Sequence, residues 1–171
     1  MMSTVNMDNI VPGYYFRSDY LGRYTNGSGC GNELASERPM VRKFIIDSCL
    51  HWIKDYKIDG IRFDLMELLD IDTTKEIVKK TTKLDKNFLI YGEPWKGGSS
   101  PLVNGTYKGS QKNENFSIFN DTFRDAIRGN NHPSSGFING NQYSSICNWS
   151  IIEGLKGSIY TITSNPNESI N

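Results

Sequence analysis

The sequence predicts an α/β fold: a parallel sheet of about three strands with flanking helices. Two observations carry this. Helix-period and strand-like segments alternate along the chain, which is the order of βαβ units. The strand-like segments Ile61–Met66 and Phe88–Glu93 each follow a helical segment, so right-handed crossovers set them side by side. Composition agrees with an ordered globular chain. Of its 171 residues 12% are aromatic, too many for disorder. Lys+Arg and Asp+Glu are both 19, so there is no electrostatic case for nucleic acid or an anionic membrane. No run approaches the about 18 apolar residues of a membrane-spanning helix.

Residues 8–38 read as a long loop, punctuated by Gly13, Gly22, Gly27, Gly29 and Gly31. Its aromatics, Tyr14, Tyr15, Phe16, Tyr20 and Tyr24, either line a sugar-binding rim or cover an edge of the fold. Pro39 suits a first helical turn, and a helix is predicted from Pro39 to Tyr56. Val41, Phe44, Ile45, Cys49, Trp52, Ile53 and Tyr56 recur at helical spacing as its inward stripe. Lys54 and Lys57 lie where the helix dipole favours cations. The strand Ile61–Met66 follows. Strict alternation would turn Ile61, Phe63 and Leu65 one way, and Arg62, Asp64 and Met66 the other.

A second helix is predicted over Asp72–Leu84, with Ile77, Val78 and Thr81 inward, and a second strand over Phe88–Glu93, stopped by Pro94. Residues 95–115 have no apolar period and form a long polar loop, a length that is usually functional or disordered. A third strand is expected over Phe116–Asn120, then a short helix Asp121–Arg128 closed by Gly129, and a last helix from Tyr143 to Leu155. Ile159–Ile162 is apolar but has no clear element.

The chemistry sits at the ends of the first two strands. Neighbouring parallel strands lie about 4.8 Å apart. Asp64 and Glu93, on such neighbours, can approach to about 5–5.5 Å, the separation of the carboxyl pair in a retaining glycosidase. Arg62 shares a strand face with Asp64 and favours its ionised form, as a nucleophile requires. Trp95 places an apolar indole close to Glu93, an environment that raises a carboxyl pKa, as a general acid requires. The structural alternative is an Arg62–Asp64 ion pair internal to the fold, with Glu93 capping a backbone amide.

Three cysteines, Cys30, Cys49 and Cys147, form neither a disulfide framework nor a zinc pattern and read as buried free thiols of a reducing compartment. The first residues carry no signal-peptide pattern, and together these features point to the cytoplasm.

Asp59-Gly60-Ile61-Arg62-Phe63-Asp64-Leu65-Met66 resembles the nucleophile strand of the α-amylase superfamily, glycoside hydrolase family 13. Tyr91-Gly92-Glu93-Pro94-Trp95 resembles its general-acid strand. The pairing of the two is similar to type I pullulanases, the debranching enzymes of that superfamily. So are Val11–Tyr15, Gly29-Cys30-Gly31-Asn32-Glu33, Ser36–Lys43 and Phe119–Gly129. The resemblance implies a (β/α)₈ barrel, Asp64 as nucleophile, Glu93 as acid/base, and Arg62, Trp95 and Asn32 as substrate-binding residues. It implies cleavage of α-1,6 links in an α-glucan such as pullulan, glycogen or limit dextrin. The loops 8–38 and 95–115 would lie at the substrate face. An isoamylase-like or α-1,4-acting hydrolase, or a glucan-binding segment without turnover, are the alternatives. No cofactor is identified; calcium is common in the superfamily, but no ligands for it can be assigned here.

A barrel of this kind needs roughly 200 residues or more. The expectation is therefore a central segment, residues 1–171, of a catalytic barrel that is not closed, without the first and last strands. The family's third carboxylate, an Asp that follows a His, is not here: His51 precedes Trp52 and His132 precedes Pro133. Glu67 stands where the family usually has a small residue, which could crowd the mouth of the site. An isolated segment of this kind is expected to be weakly active or inactive.

Overall fold

A computed structural model of the chain describes residues 6–129 and 135–155. The expected turn at His132-Pro133 and the apolar run 159–162 lie outside them. The chain divides into two compact units, one ending at Ile118 and one beginning at Phe119.

The first unit holds a short helix α1 (Asn6–Ile10), then α2 (Pro39–Tyr56), β1 (Gly60–Phe63), α3 (Ile71–Leu84), β2 (Leu89–Gly92) and β3 (Ser117–Ile118). The three strands form one parallel sheet in the order β1-β2-β3. In register, Gly60 faces Leu89 and Phe63 faces Gly92 across β1 and β2; Gly92 faces Ile118 across β2 and β3. The strands are shorter than the sequence suggests, but their order and direction are those expected.

Each helix boundary has a local cause. Pro39 opens α2 with the φ a first turn needs, and Lys57 closes it in a left-handed conformation, its N–H donating to Ile53 O at 3.2 Å. Asp70 caps α3 by accepting from Thr73 N at 3.0 Å. One face of the sheet packs against both helices. Ile46, Cys49 and Ile53 of α2, Ile77 and Val78 of α3, and Phe88, Ile90, Met66 and Phe116 form the core, with Ile61, Phe63 and Ile118 against it. Each large side chain buried there contributes about 1.5–3 kcal/mol.

The inward stripe of α2 is corrected by this packing. Val41, Cys49 and Ile53 are buried as expected, and Ile46 joins them. Phe44, Trp52 and Tyr56 are exposed. The helix is apolar on two sides, and helical spacing alone does not say which side meets the sheet. Trp52 and Tyr56 stack instead on each other, 4.5 Å between ring centroids, on the outer side.

The second unit contains α4 (Asp121–Arg128) and α5 (Ser145–Leu155). Asn120 caps α4 through Phe123 N at 3.0 Å, and Gly129, at φ 83°, ends it. The two helices touch closely: a Cβ on Gly154 would stand 2.1 Å from the Phe123 ring. The expectation of three buried thiols holds for Cys49 and Cys147 only; Cys30 is exposed on its glycine-rich loop. No described helix is long and apolar enough to cross a membrane.

Candidate active site

The sheet has two faces. The helices cover one; the other carries Arg62, Leu89 and Tyr91, with Arg62 and Leu89 exposed. Arg62 and Tyr91 are register partners on that open face. Asp64 and Glu93 stand one step beyond the last pair, Phe63 and Gly92. The ladder runs one bond further, because Glu93 N donates to Phe63 O at 3.1 Å. The two carboxylates therefore leave adjacent parallel strands at the same level and at the same end.

One guanidinium spans them. Arg62 Nη1 donates to Asp64 Oδ1 at 2.9 Å and Nη2 to Glu93 Oε1 at 2.7 Å. The planar fork of arginine fixes both bonds in one geometry, so each carboxylate orients the other through it. Exposure divides the pair: the Asp64 side chain is 71% exposed and that of Glu93 is 16%. The open carboxylate can meet a carbon of a bound molecule, and the sheltered one is held by two donors. The second donor is Leu65 N, which reaches Glu93 Oε2 at 3.0 Å. Both bonds of the structural alternative are thus present, the ion pair and the bond between Glu93 and a backbone amide. They hold Asp64 and Glu93 together at one end of the sheet.

Leu65 also overturns the strict alternation expected of its strand. It adopts φ 45°, ψ 50°, a left-handed conformation that costs a non-glycine residue about 1–2 kcal/mol. The strand ends there and a 3₁₀ turn follows, Met66–Leu68. Met66 accordingly leaves the face of Arg62 and Asp64 and is fully buried in the core.

Around the pair, three loops are locked together by a buried network absent from the sequence reading. Arg17 Nη1 pairs with Glu33 Oε2 at 2.9 Å, and its Nη2 donates to Glu37 Oε2, Ser36 Oγ and Leu68 O. Glu33 in turn accepts from Thr25 Oγ1, Ser100 Oγ and Gly27 N. Burial alone would raise the Glu33 carboxyl, but the hydroxyls of Thr25 and Ser100 and the Arg17 guanidinium outweigh it and hold it below the usual carboxylate range. The only sequence signal for this pair was two opposite charges inside a loop rich in Gly and Tyr.

The loop 95–115 is ordered by the same means. Gly97 N and Gly98 N both donate to Gly27 O, and Thr106, fully buried, donates from N and Oγ1 to Leu69 O. Asn32 lies on the loop so docked, its carbonyl accepting from Ser28 Oγ; Trp95 is partly buried, between Pro94 and the Gly97 contact. Glu67 pairs with Lys96 at 2.9 Å, which ties its charge to the segment after Trp95. The loop aromatics divide: Phe16 is buried, whereas Tyr20 is 93% exposed. Among the described residues no group of three or more His, Cys, Asp or Glu is placed to hold a metal ion, and no calcium ligand is assigned.

No protein-family model matches the chain. It is 38% identical to the pullulanase of Bacillus subtilis (strain 168) over 174 aligned positions, 96% of this chain and 24% of that protein. Its fold matches the pullulanase from Bacillus acidopullulyticus with a TM-score of 0.85 at 39% identity, over 93% of this chain and 20% of that one. Over nearly its whole length the chain is similar to one segment of these pullulanases. The match to the pullulanase of Anoxybacillus sp. LM18-11, solved in complex with maltotriose, has a TM-score of 0.80 at 39% identity. The chain spans about a quarter of the length of the B. subtilis relative. By its likeness to those solved structures, its open parallel sheet with flanking helices is an arc of a (β/α)₈ barrel. The helix-covered face is then the outside of the arc, and the face carrying Arg62 the inside.

Proposed function

We propose that this segment carries the nucleophile and the acid/base of a retaining hydrolase that cleaves α-1,6-glucosidic links in pullulan, glycogen or branched dextrins. The observation that carries it is the single Arg62 guanidinium joining Asp64 and Glu93 at the ends of adjacent parallel strands. Barrel enzymes place their reacting groups at that end.

In this reading Glu93 gives a proton to the glycosidic oxygen as Asp64 attacks the anomeric carbon. The C–O bond breaks, its electron pair leaves with the protonated alcohol, and a glycosyl ester forms on Asp64. Glu93, now a carboxylate, takes a proton from water. The resulting hydroxide displaces Asp64 and the sugar leaves with retained configuration. Arg62 holds Asp64 in place through Nη1. The loops 8–38 and 95–115 flank the pair, and Asn32 and Trp95 contact the glucan from them.

The test is hydrolysis of pullulan by the purified chain, with Asp64→Asn and Glu93→Gln beside it. Loss of one preorganised charged group costs about 10²–10³ in rate, and no Asp follows a His in this sequence. Turnover is therefore expected several orders of magnitude below a complete debranching enzyme, and either substitution removes what remains. Turnover indifferent to both would overturn the assignment. The sequence feature just named also favours a second reading, in which the segment binds glucan without turnover. Retardation in a pullulan gel with no release of reducing sugar would select it.

A further inference from the structure

The buried Arg17 and Asp70 side chains form the floor of a groove of about 510 Å³. None of Arg62, Asp64 and Glu93 lines it. Its volume lies within the range of small-molecule sites, about 300–1,000 Å³. One wall is the segment Pro101-Leu102-Val103, and that wall is tied at both ends. Ser100 Oγ donates to Glu33 Oε2 at 2.7 Å, and Asn104 O accepts from Ile71 N at 2.9 Å. Another wall is the start of α2, with Glu37 and Arg38 just before it and Arg42 in its first turns.

Charge and hydrogen-bonding capacity say what such a groove can hold. Arg17, Arg38 and Arg42 line it against Glu37, Asp70 and Asp72. Their charges cancel, so the groove draws in neither an anion nor a cation. Part of their bonding capacity is unused. Arg42 spends Nε on Thr73 Oγ1 and Nη2 on Asp70 Oδ1, and its Nη1 has no partner among the described residues. Glu37 takes both Arg17 bonds on Oε2, which leaves Oε1 open. The Asp72 carboxylate accepts no hydrogen bond from the described residues. The Asn104 amide adds a group that both donates and accepts. An apolar wall beside fixed donors and acceptors, with no net charge, matches a sugar ring. The C–H face of the ring packs on the wall, and each hydroxyl both donates and accepts.

We propose that this groove is a second binding site of the chain, for a neutral carbohydrate. Arg42 and Asn104 donate to its hydroxyls, Glu37 and Asp72 accept from them, and Leu102 and Val103 carry the ring. The neutral, hydroxylated class follows from the groove alone. The choice of an α-glucan as its occupant rests on the reaction proposed above. A glucan held here is kept by the chain without being cut, since neither carboxylate of the catalytic pair reaches into the groove's lining. Open walls and room for only a short oligosaccharide set the expected dissociation constant at about 1–10 mM, the weak end of the affinity scale.

The test needs no turnover. The full chain, labelled with ¹⁵N, is titrated with maltotriose to about 50 mM, several times that constant. The amide signals of Asp72, Leu102, Val103 and Asn104 are expected to shift together along one saturating curve. Asp72→Ala combined with Asn104→Ala removes two of the four polar groups, both on exposed residues. It should weaken the curve by about tenfold or more, while amide signals away from the groove stay as they were. Asp64→Asn and Glu93→Gln should leave the curve unchanged. Inorganic phosphate, the second probe, should not move these signals. No saturating shift at these amides, an unchanged curve in the double variant, a curve lost in Asp64→Asn, or a stronger response to phosphate than to maltotriose overturns the proposal. Shifts at the groove with no pullulan hydrolysis support the groove and count against the catalytic reading alone. Hydrolysis with no shift at the groove counts against the groove alone.

Discussion

Met66 and Gly92 occupy one space: a Cβ on Gly92 would stand 2.7 Å from Met66 Sδ and 2.7 Å from the carbonyl oxygen of Phe63. The residue before Glu93 must lack a side chain so that the residue two beyond Asp64 can enter the core beneath it. Gly92→Ala is therefore expected to destabilise the chain by about 1–3 kcal/mol, the usual cost of overpacking. Urea unfolding followed by tryptophan fluorescence checks it. An unchanged midpoint would mean that the turn after β1 yields freely.

Glu33→Gln should cost about 1–3 kcal/mol, because Arg17 keeps Glu37 but loses the charged acceptor buried beside it. Replacing both at once, Arg17→Met with Glu33→Leu, should cost less than the sum of the single changes, since no buried charge is then left alone. A double-mutant cycle in urea measures the difference.

Acid should loosen the same region. Asp70 resembles Glu33: burial raises its carboxyl, but Thr73, Ser36 and the Arg42 guanidinium outweigh burial and hold it below the ordinary range. A carboxyl lower in the folded state stabilises above its unfolded value, about 3.9 for Asp and about 4.3 for Glu. That contribution is lost as pH falls through the lower folded value. Stability is expected to drop below about pH 4, and Asp70→Asn or Glu33→Gln should flatten that limb of a plot of urea midpoint against pH.

The opposite limb belongs to Cys49. Burial pushes its thiol up to about 11. A thiol whose folded value is raised stabilises fully below the unfolded value, about 8.5, and loses that contribution as pH rises through the folded one. Timed alkylation read by mass spectrometry should modify the exposed Cys30 at once at neutral pH, and Cys49 and Cys147 only on unfolding. Early labelling of Cys49 would contradict the packing of α2 on the sheet.

Much of this molecule was legible in its residues. Pro39 set the start of α2, and Gly129 marks the end of α4, because these residue types restrict or permit backbone angles wherever they stand. The order of helices and strands predicted the parallel sheet, since crossover handedness is a property of L-residues and not of a particular fold. That Asp64, Glu93 and Arg62 come together follows for the same reason: adjacent parallel strands carry their ends to one place. What the sequence could not say was which side of α2 turns inward, because Phe44, Trp52 and Tyr56 are as apolar as Ile46 and only the sheet chooses between them. Nor could it say that Leu65 departs from the strand, that Met66 then reverses direction, or that Arg17 finds Glu33 across a glycine-rich loop. Those outcomes depend on contacts between residues distant in sequence. A local pattern states each residue's preferences, and the tertiary structure decides which of them prevail when all cannot be met.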